Sequence, residues 1–70
     1  MSYHMKWHNV QEIVENLEDK YPNVDIINIR YTDFHSWIIN LDGFVGDKDA
    51  SNEKILESIH LAWLKERGLV

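Results

Sequence analysis

Three times along this chain, apolar residues recur at three- and four-residue spacing, and each time a breaker ends the pattern. The first stripe is Val10, Ile13, Val14, Leu17 and Tyr21, stopped by Pro22. The second is Phe34, Trp37, Ile38 and Leu41, followed by the loop glycines Gly43 and Gly46. The third is Ile55, Leu56, Ile59, Ala62 and Trp63, ended by Gly68. Each stripe is one face of a short helix, and none can bury itself alone. The expectation is a mostly α single domain over residues 9–70, with residues 1–8 as a flexible N-terminal tail.

Polar residues at the stripe ends suggest how the helices start. Asn9-Val10-Gln11-Glu12 has the spacing of a capping box, with Glu12 able to reach back to the Asn9 N–H. Thr32-Asp33 marks the second start, and Ser51 or Asp49 the third. The third helix is expected from about Ser51 to Arg67, with Gly68 as a left-handed cap and Leu69 making the accompanying apolar contact. Lys65 and Arg67 suit the negative end of its dipole. Between the first two helices, Asp25 can cap a turn. Ile27, Ile29 and Tyr31 then alternate with Asn28 and Arg30 as a brief extended segment would. The Ile38-Ile39 pair leaves a strand possible in the second stripe. Leu61 and Leu64 lie off the third stripe, where they either widen the buried arc or form an exposed patch.

A chain of 70 residues without cysteine must build its core from side chains alone, with no disulfide and no thiolate chemistry. Its three Trp, three Tyr and two Phe supply much of that burial. No apolar run is long enough to span a membrane, and Met1 to Lys6 lack the apolar core of a secretory signal. A soluble, cytoplasmic protein is expected. Twelve acids against seven bases give a formal charge of −5. That balance opposes nucleic-acid binding, which depends on neutralising phosphates, and favours basic protein surfaces or cations as partners.

The reactive residue types do not assemble into a catalytic pattern. His4 and His8 have helical spacing but sit in the expected tail, without further ligands. His35 and His60 lie on or beside apolar stripes and read as packing residues. Neither neighbours an activated Ser or Cys nucleophile, so no enzyme is indicated. Asp47-Lys48-Asp49-Ala50-Ser51 begins like a calcium loop, but Asn52 stands where the turn glycine belongs and Ser58 where the bidentate Glu belongs. The acids fall in two groups. Glu12, Glu15 and Asp19, with Glu18 close by, stripe the outer side of the first helix; Asp42, Asp47 and Asp49 cluster in the loop from Asp42 to Ala50. Such groups can be a solvated helix face and helix caps. They can equally meet a Lys/Arg patch on a partner, or hold a divalent ion through hard oxygen ligands.

Five segments carry a resemblance. They are Lys6-Trp7, Tyr21-Pro22, the run Arg30-Tyr31-Thr32-Asp33-Phe34-His35-Ser36-Trp37-Ile38, the run Ala50-Ser51-Asn52-Glu53-Lys54-Ile55-Leu56-Glu57, and Ala62-Trp63-Leu64. In order and spacing they resemble the IscX family, small acidic proteins of bacterial iron–sulphur cluster assembly. The likeness runs from about Lys6 to Lys65. It implies a small modified winged-helix (helix-turn-helix-like) domain with a minor extended element. It also implies an adaptor rather than an enzyme, one that binds the cysteine desulfurase IscS on a basic surface shared with bacterial frataxin and ferredoxin.

By the same resemblance, the partner-binding acids are Glu12, Glu15, Asp19, Asp42, Asp47 and Asp49. Weak ferrous iron would be held by Asp42, Asp47, Asp49, Glu15 and Asp19, with no tightly bound cofactor. A monomer without nucleic-acid or membrane partners is implied. This loop is poorer in acids than the family's: Gly43, Val45, Gly46 and Lys48 occupy places where acids or proline are typical, which bears on iron more than on the partner. The alternatives are an iron donor, or a winged-helix nucleic-acid binder. Against the latter, the candidate recognition helix from Thr32 to Leu41 has no Lys or Arg.

Overall fold

The computed structural model describes residues 4–70 and contains three helices: α1 (Val10–Lys20), α2 (Tyr31–Ile39) and α3 (Glu53–Glu66). Among the described residues the one β pairing is an isolated parallel bridge between Met5 and Phe44. The predicted stripes supply the core. Ile13, Val14 and Leu17 of α1, Phe34 and Ile38 of α2, and Leu56, Ile59 and Trp63 of α3 are all buried. The strand possible at Ile38-Ile39 is helix instead. Leu64 packs against the core while Leu61 stays 47% exposed, so the two residues divide between the two roles open to them.

Trp63 is the centre of this packing. It is fully buried, stacks on Phe34 at 5.9 Å and meets Trp37 edge-on at 6.4 Å. Burying one such ring removes about 150–250 Å² of surface from water, worth roughly 4–6 kcal/mol. Tyr21 stacks on Trp37 at 4.8 Å and extends the aromatic layer to the end of α1.

The helix starts differ from expectation. Asn9 is the cap residue of α1 but makes no side-chain bond into the helix; its Oδ1 accepts the Lys6 N–H at 2.8 Å, tightening the turn before the helix. The expected capping box is therefore absent. Helix α2 begins one residue early, after an extended Arg30 that provides no cap. At α3 the cap is Asn52 rather than Ser51 or Asp49, its Oδ1 accepting the Ile55 N–H at 2.9 Å. The Gly68 cap of α3 is as predicted: Gly68 takes φ +74°, Gly68 N–H bonds Lys65 O at 3.0 Å, and Leu69 N–H bonds Leu64 O at 2.9 Å, while the helix ends at Glu66 and Leu69 stays 47% exposed.

Two stretches are corrected. The extended segment expected at Ile27–Tyr31 is a turn at Ile27-Asn28 followed by Ile29 and Arg30 leading into α2, which begins at Tyr31; Asp25 accepts the Ile27 N–H at 3.0 Å. Ile26, not Ile27, points inward: Ile26 is 1% exposed and Ile27 62%. The tail expected over residues 1–8 is packed where it is described. Met5 is fully buried, Trp7 is 7% exposed, and Met5 exchanges backbone hydrogen bonds with Gly43 and Val45, both at 2.8 Å. Periodicity gave no signal here because a single bridge is too short to show alternation. Residues 1–3 lie outside the described residues.

Candidate functional site

The acids of α1 occupy its outer side because the inner side is filled by Ile13, Val14 and Leu17. Glu12, Glu15 and Asp19 are exposed and, with Asn16, line a shallow depression of about 210 Å³. Asn16 and Asp19 also line an adjoining depression of about 340 Å³, whose other walls are Lys20, Leu41 and Asp42. Leu41 is buried and anchors the start of the loop, and Asp42 next to it lines this depression together with Asp19. Four of the predicted acids, Glu12, Glu15, Asp19 and Asp42, therefore share one concave face. Within it, Asn16 Nδ2 donates to Glu12 O at 2.8 Å and Gln11 Nε2 donates to Glu15 at 3.2 Å. Lys20 is the one cation lining these two depressions.

Asp47 and Asp49 line neither depression. Their part of the loop is tied to the segment before α1 and to α2. Trp7 Nε1 donates to Asp47 O at 2.7 Å, and the His35 ring Nε2 bonds Lys48 O at 2.8 Å. Asp47 folds its own side chain back to accept the Asp49 N–H at 2.9 Å. Among the described residues no three His, Asp or Glu side chains are grouped so as to hold a metal ion.

A polar cluster that sequence reasoning missed lies behind the acidic face. Glu18, one position before Asp19, turns toward α3. Its Oε1 accepts both Arg67 Nε and Trp63 Nε1 at 2.8 Å. These bonds, Arg67 first and Trp63 second, hold the Glu18 carboxyl below its ordinary range. Glu18 is thus part of the scaffold rather than of the exposed acid row. Its signal in the sequence is slight: an acid near the end of α1 and a base just past the end of α3, 49 residues apart.

His35 and His60 pack, as their stripes suggest. His35 stacks on Trp7 at 5.5 Å. His60 bonds Ile26 O through Nε2 and the Tyr31 hydroxyl through Nδ1, the latter at 3.3 Å. Burial, then the charges of Glu57 and Glu53, raise the Tyr31 hydroxyl above its ordinary range.

Comparison with known proteins agrees with this molecule's sequence motifs. A family described as iron–sulphur cluster assembly matches residues 5–68. An uncharacterised protein of Pseudomonas aeruginosa is 38% identical over 63 residues, covering 90% of this chain and 96% of that protein. No helix among the described residues is long and apolar enough to cross a membrane. The small helical fold is consistent with a non-enzymatic accessory role. On the match across residues 5–68, the chain belongs to the iron–sulphur cluster assembly family, the IscX family that its motifs resemble.

Proposed function

We propose that this protein is an acidic adaptor of iron–sulphur cluster assembly that docks on the cysteine desulfurase IscS. The observation that carries the reading is the shared concave face of Glu12, Glu15, Asp19 and Asp42. Four carboxylates with a single cation at the edge complement a basic patch and speed encounter with it. The adaptor works as a cytoplasmic monomer, without nucleic acid or membrane. Frataxin and ferredoxin compete with it for the same basic surface.

Titration of the desulfurase with the full chain tests this directly. Reversing Glu12, Glu15, Asp19 and Asp42 to Lys together should weaken binding at least about tenfold. Wild-type affinity should fall as salt is raised through the range where the screening length drops below about 10 Å. Binding by the reversed variant that matches wild type at low salt would sink the mechanism.

Ferrous iron is, in this reading, a loosely held cargo of the same exposed carboxylates, which are hard oxygen donors. Open depressions suit weak, partly hydrated binding rather than a closed cage. Anaerobic calorimetry should show millimolar affinity that Asp19→Asn with Asp42→Asn reduces. Tight binding that survives this double change would place iron elsewhere on the molecule.

A further inference from the structure

The aromatic layer at the end of α1 continues past Trp63. Tyr21 stacks on Trp37 at 4.8 Å, Trp37 meets Trp63 at 6.4 Å, Trp63 stacks on Phe34 at 5.9 Å, and Phe34 lies beside Tyr31 at 6.1 Å. In a chain without cysteine, tryptophan and tyrosine are the side chains that lose a single electron most readily. A ring oxidised in such a row is refilled from the next, with Phe34 as a packed bridge that carries no charge itself.

Tyr31 ends the row with a base on its hydroxyl. Ile26 O can only accept, so the His60 Nε2 bonded to it carries the ring proton, and Nδ1 of the neutral ring is a bare lone pair. That Nδ1 lies 3.3 Å from the Tyr31 hydroxyl, which donates to it. Tyr31 and Phe34 meet the imidazole edge-on at 5.7 and 5.8 Å and hold it in place. Burial, Glu57 and Glu53 keep the hydroxyl protonated, so Tyr31 gives up an electron only when its proton has somewhere to go. Glu57, one turn before His60 on α3, favours the imidazolium that receives it. Tyr31 also lines an open cleft of about 540 Å³ with Thr32, His35 and Ser51, which admits a small solute.

We propose that Tyr31 and His60 form a proton-coupled redox pair that draws oxidising equivalents out of the tryptophan core. The oxidant is a one-electron radical of the class of the carbonate radical anion. It takes one electron from half-buried Trp37 and becomes carbonate. Trp37 is refilled from Trp63, and Trp63 from Tyr31, whose hydroxyl proton passes to His60 Nδ1. The products are carbonate, a neutral Tyr31 phenoxyl radical and a His60 imidazolium, so one electron and one proton have moved. A soluble one-electron reductant of the ascorbate class returns an electron to Tyr31 through the cleft, becoming a radical itself, and the proton goes back from Nδ1 to the hydroxyl. The pair needs neither the desulfurase nor iron, so this activity stands apart from the docking reading.

Pulse radiolysis of the full chain with azide radical, which oxidises indole rings, tests it. Tryptophanyl absorption should decay as tyrosyl absorption rises, at a rate independent of protein concentration. Tyr31→Phe should remove that tyrosyl phase. His60→Gln keeps a donor for Ile26 O and an acceptor for the Tyr31 hydroxyl but is no base. It should slow the transfer about tenfold, the rate equivalent of one hydrogen bond. Spin trapping during steady oxidation, with peptide mapping of the unaltered chain, should place the adduct on Tyr31 and so decides the matter whether or not a variant folds. A tyrosyl phase that persists in Tyr31→Phe, a wild-type transfer rate in His60→Gln, or adducts confined to Tyr21 and the tryptophans overturns the inference.

Discussion

Arg67 directs every face of its guanidinium at a different partner. Nε donates to Glu18 at 2.8 Å, one terminal nitrogen to Tyr21 O at 2.6 Å, the other to Val24 O, and the plane covers Trp63 at 5.2 Å. A lysine carries the charge but not the fork or the flat stacking surface. Arg67→Lys is therefore expected to cost about 1–2 kcal/mol, and Arg67→Ala about 2–3 kcal/mol because two carbonyls and a carboxylate lose their donor. Urea unfolding at neutral pH measures both. The same cluster sets a pH dependence. The folded Glu18 carboxyl titrates below its unfolded value of about 4.5, so its contribution is complete above that value and is lost as pH falls through the lower folded one. Wild-type stability should decline from about pH 5 downward more steeply than that of Glu18→Gln, which has no charge to lose. Equal slopes for the two proteins would remove Glu18 from the account.

Among the elements, α1 and α2 both start without a side-chain cap, and at α2 the cap residue could not supply one. The α2 cap residue Arg30 has the extended backbone of an N-cap, φ −90° and ψ 131°, but a side chain that cannot accept a hydrogen bond. Arg30→Asp supplies the acceptor and places a negative charge at the positive end of the helix, and should stabilise by about 0.5–1 kcal/mol. Asn52→Ala removes a bond that α3 already has and should cost about 1 kcal/mol. Opposite shifts of roughly 4–8 °C per kcal/mol in thermal midpoint check the pair. The three helices and most of their buried positions were legible because a stripe such as Ile13, Val14, Leu17 is repeated over turns and tolerates local noise. The caps were less legible, since Asp49, Ser51 and Asn52 are all good cap residues and backbone geometry chooses among them. The Ile26 and Ile27 inversion has the same origin: in turns, no fixed period relates neighbouring side chains to the core.

At the scale of the molecule, what sequence could not show is what closes it. The acids were legible as two groups, yet only the fold brings Asp42 to Asp19 and leaves Asp47 with Trp7. The segment before α1 is structural: burying Met5 is worth about 1.5–3 kcal/mol and burying the Trp7 ring roughly 4–6 kcal/mol, together at least the whole stability of a domain this small. Deleting residues 1–7 should abolish cooperative unfolding, whereas loss of a true tail would leave the denaturation curve unmoved; circular dichroism against urea decides. Two of the side-chain closures, Trp7 to Asp47 and Glu18 to Arg67, join residues 40 and 49 positions apart. Both depend on distant parts of the chain meeting, and neither α1 nor α2 has a complete core to pack on until α3 arrives. In kinetic terms, loops of this length must close before these contacts can reward the chain. It should refold more slowly than its helix content implies, without a stable α1–α2 intermediate.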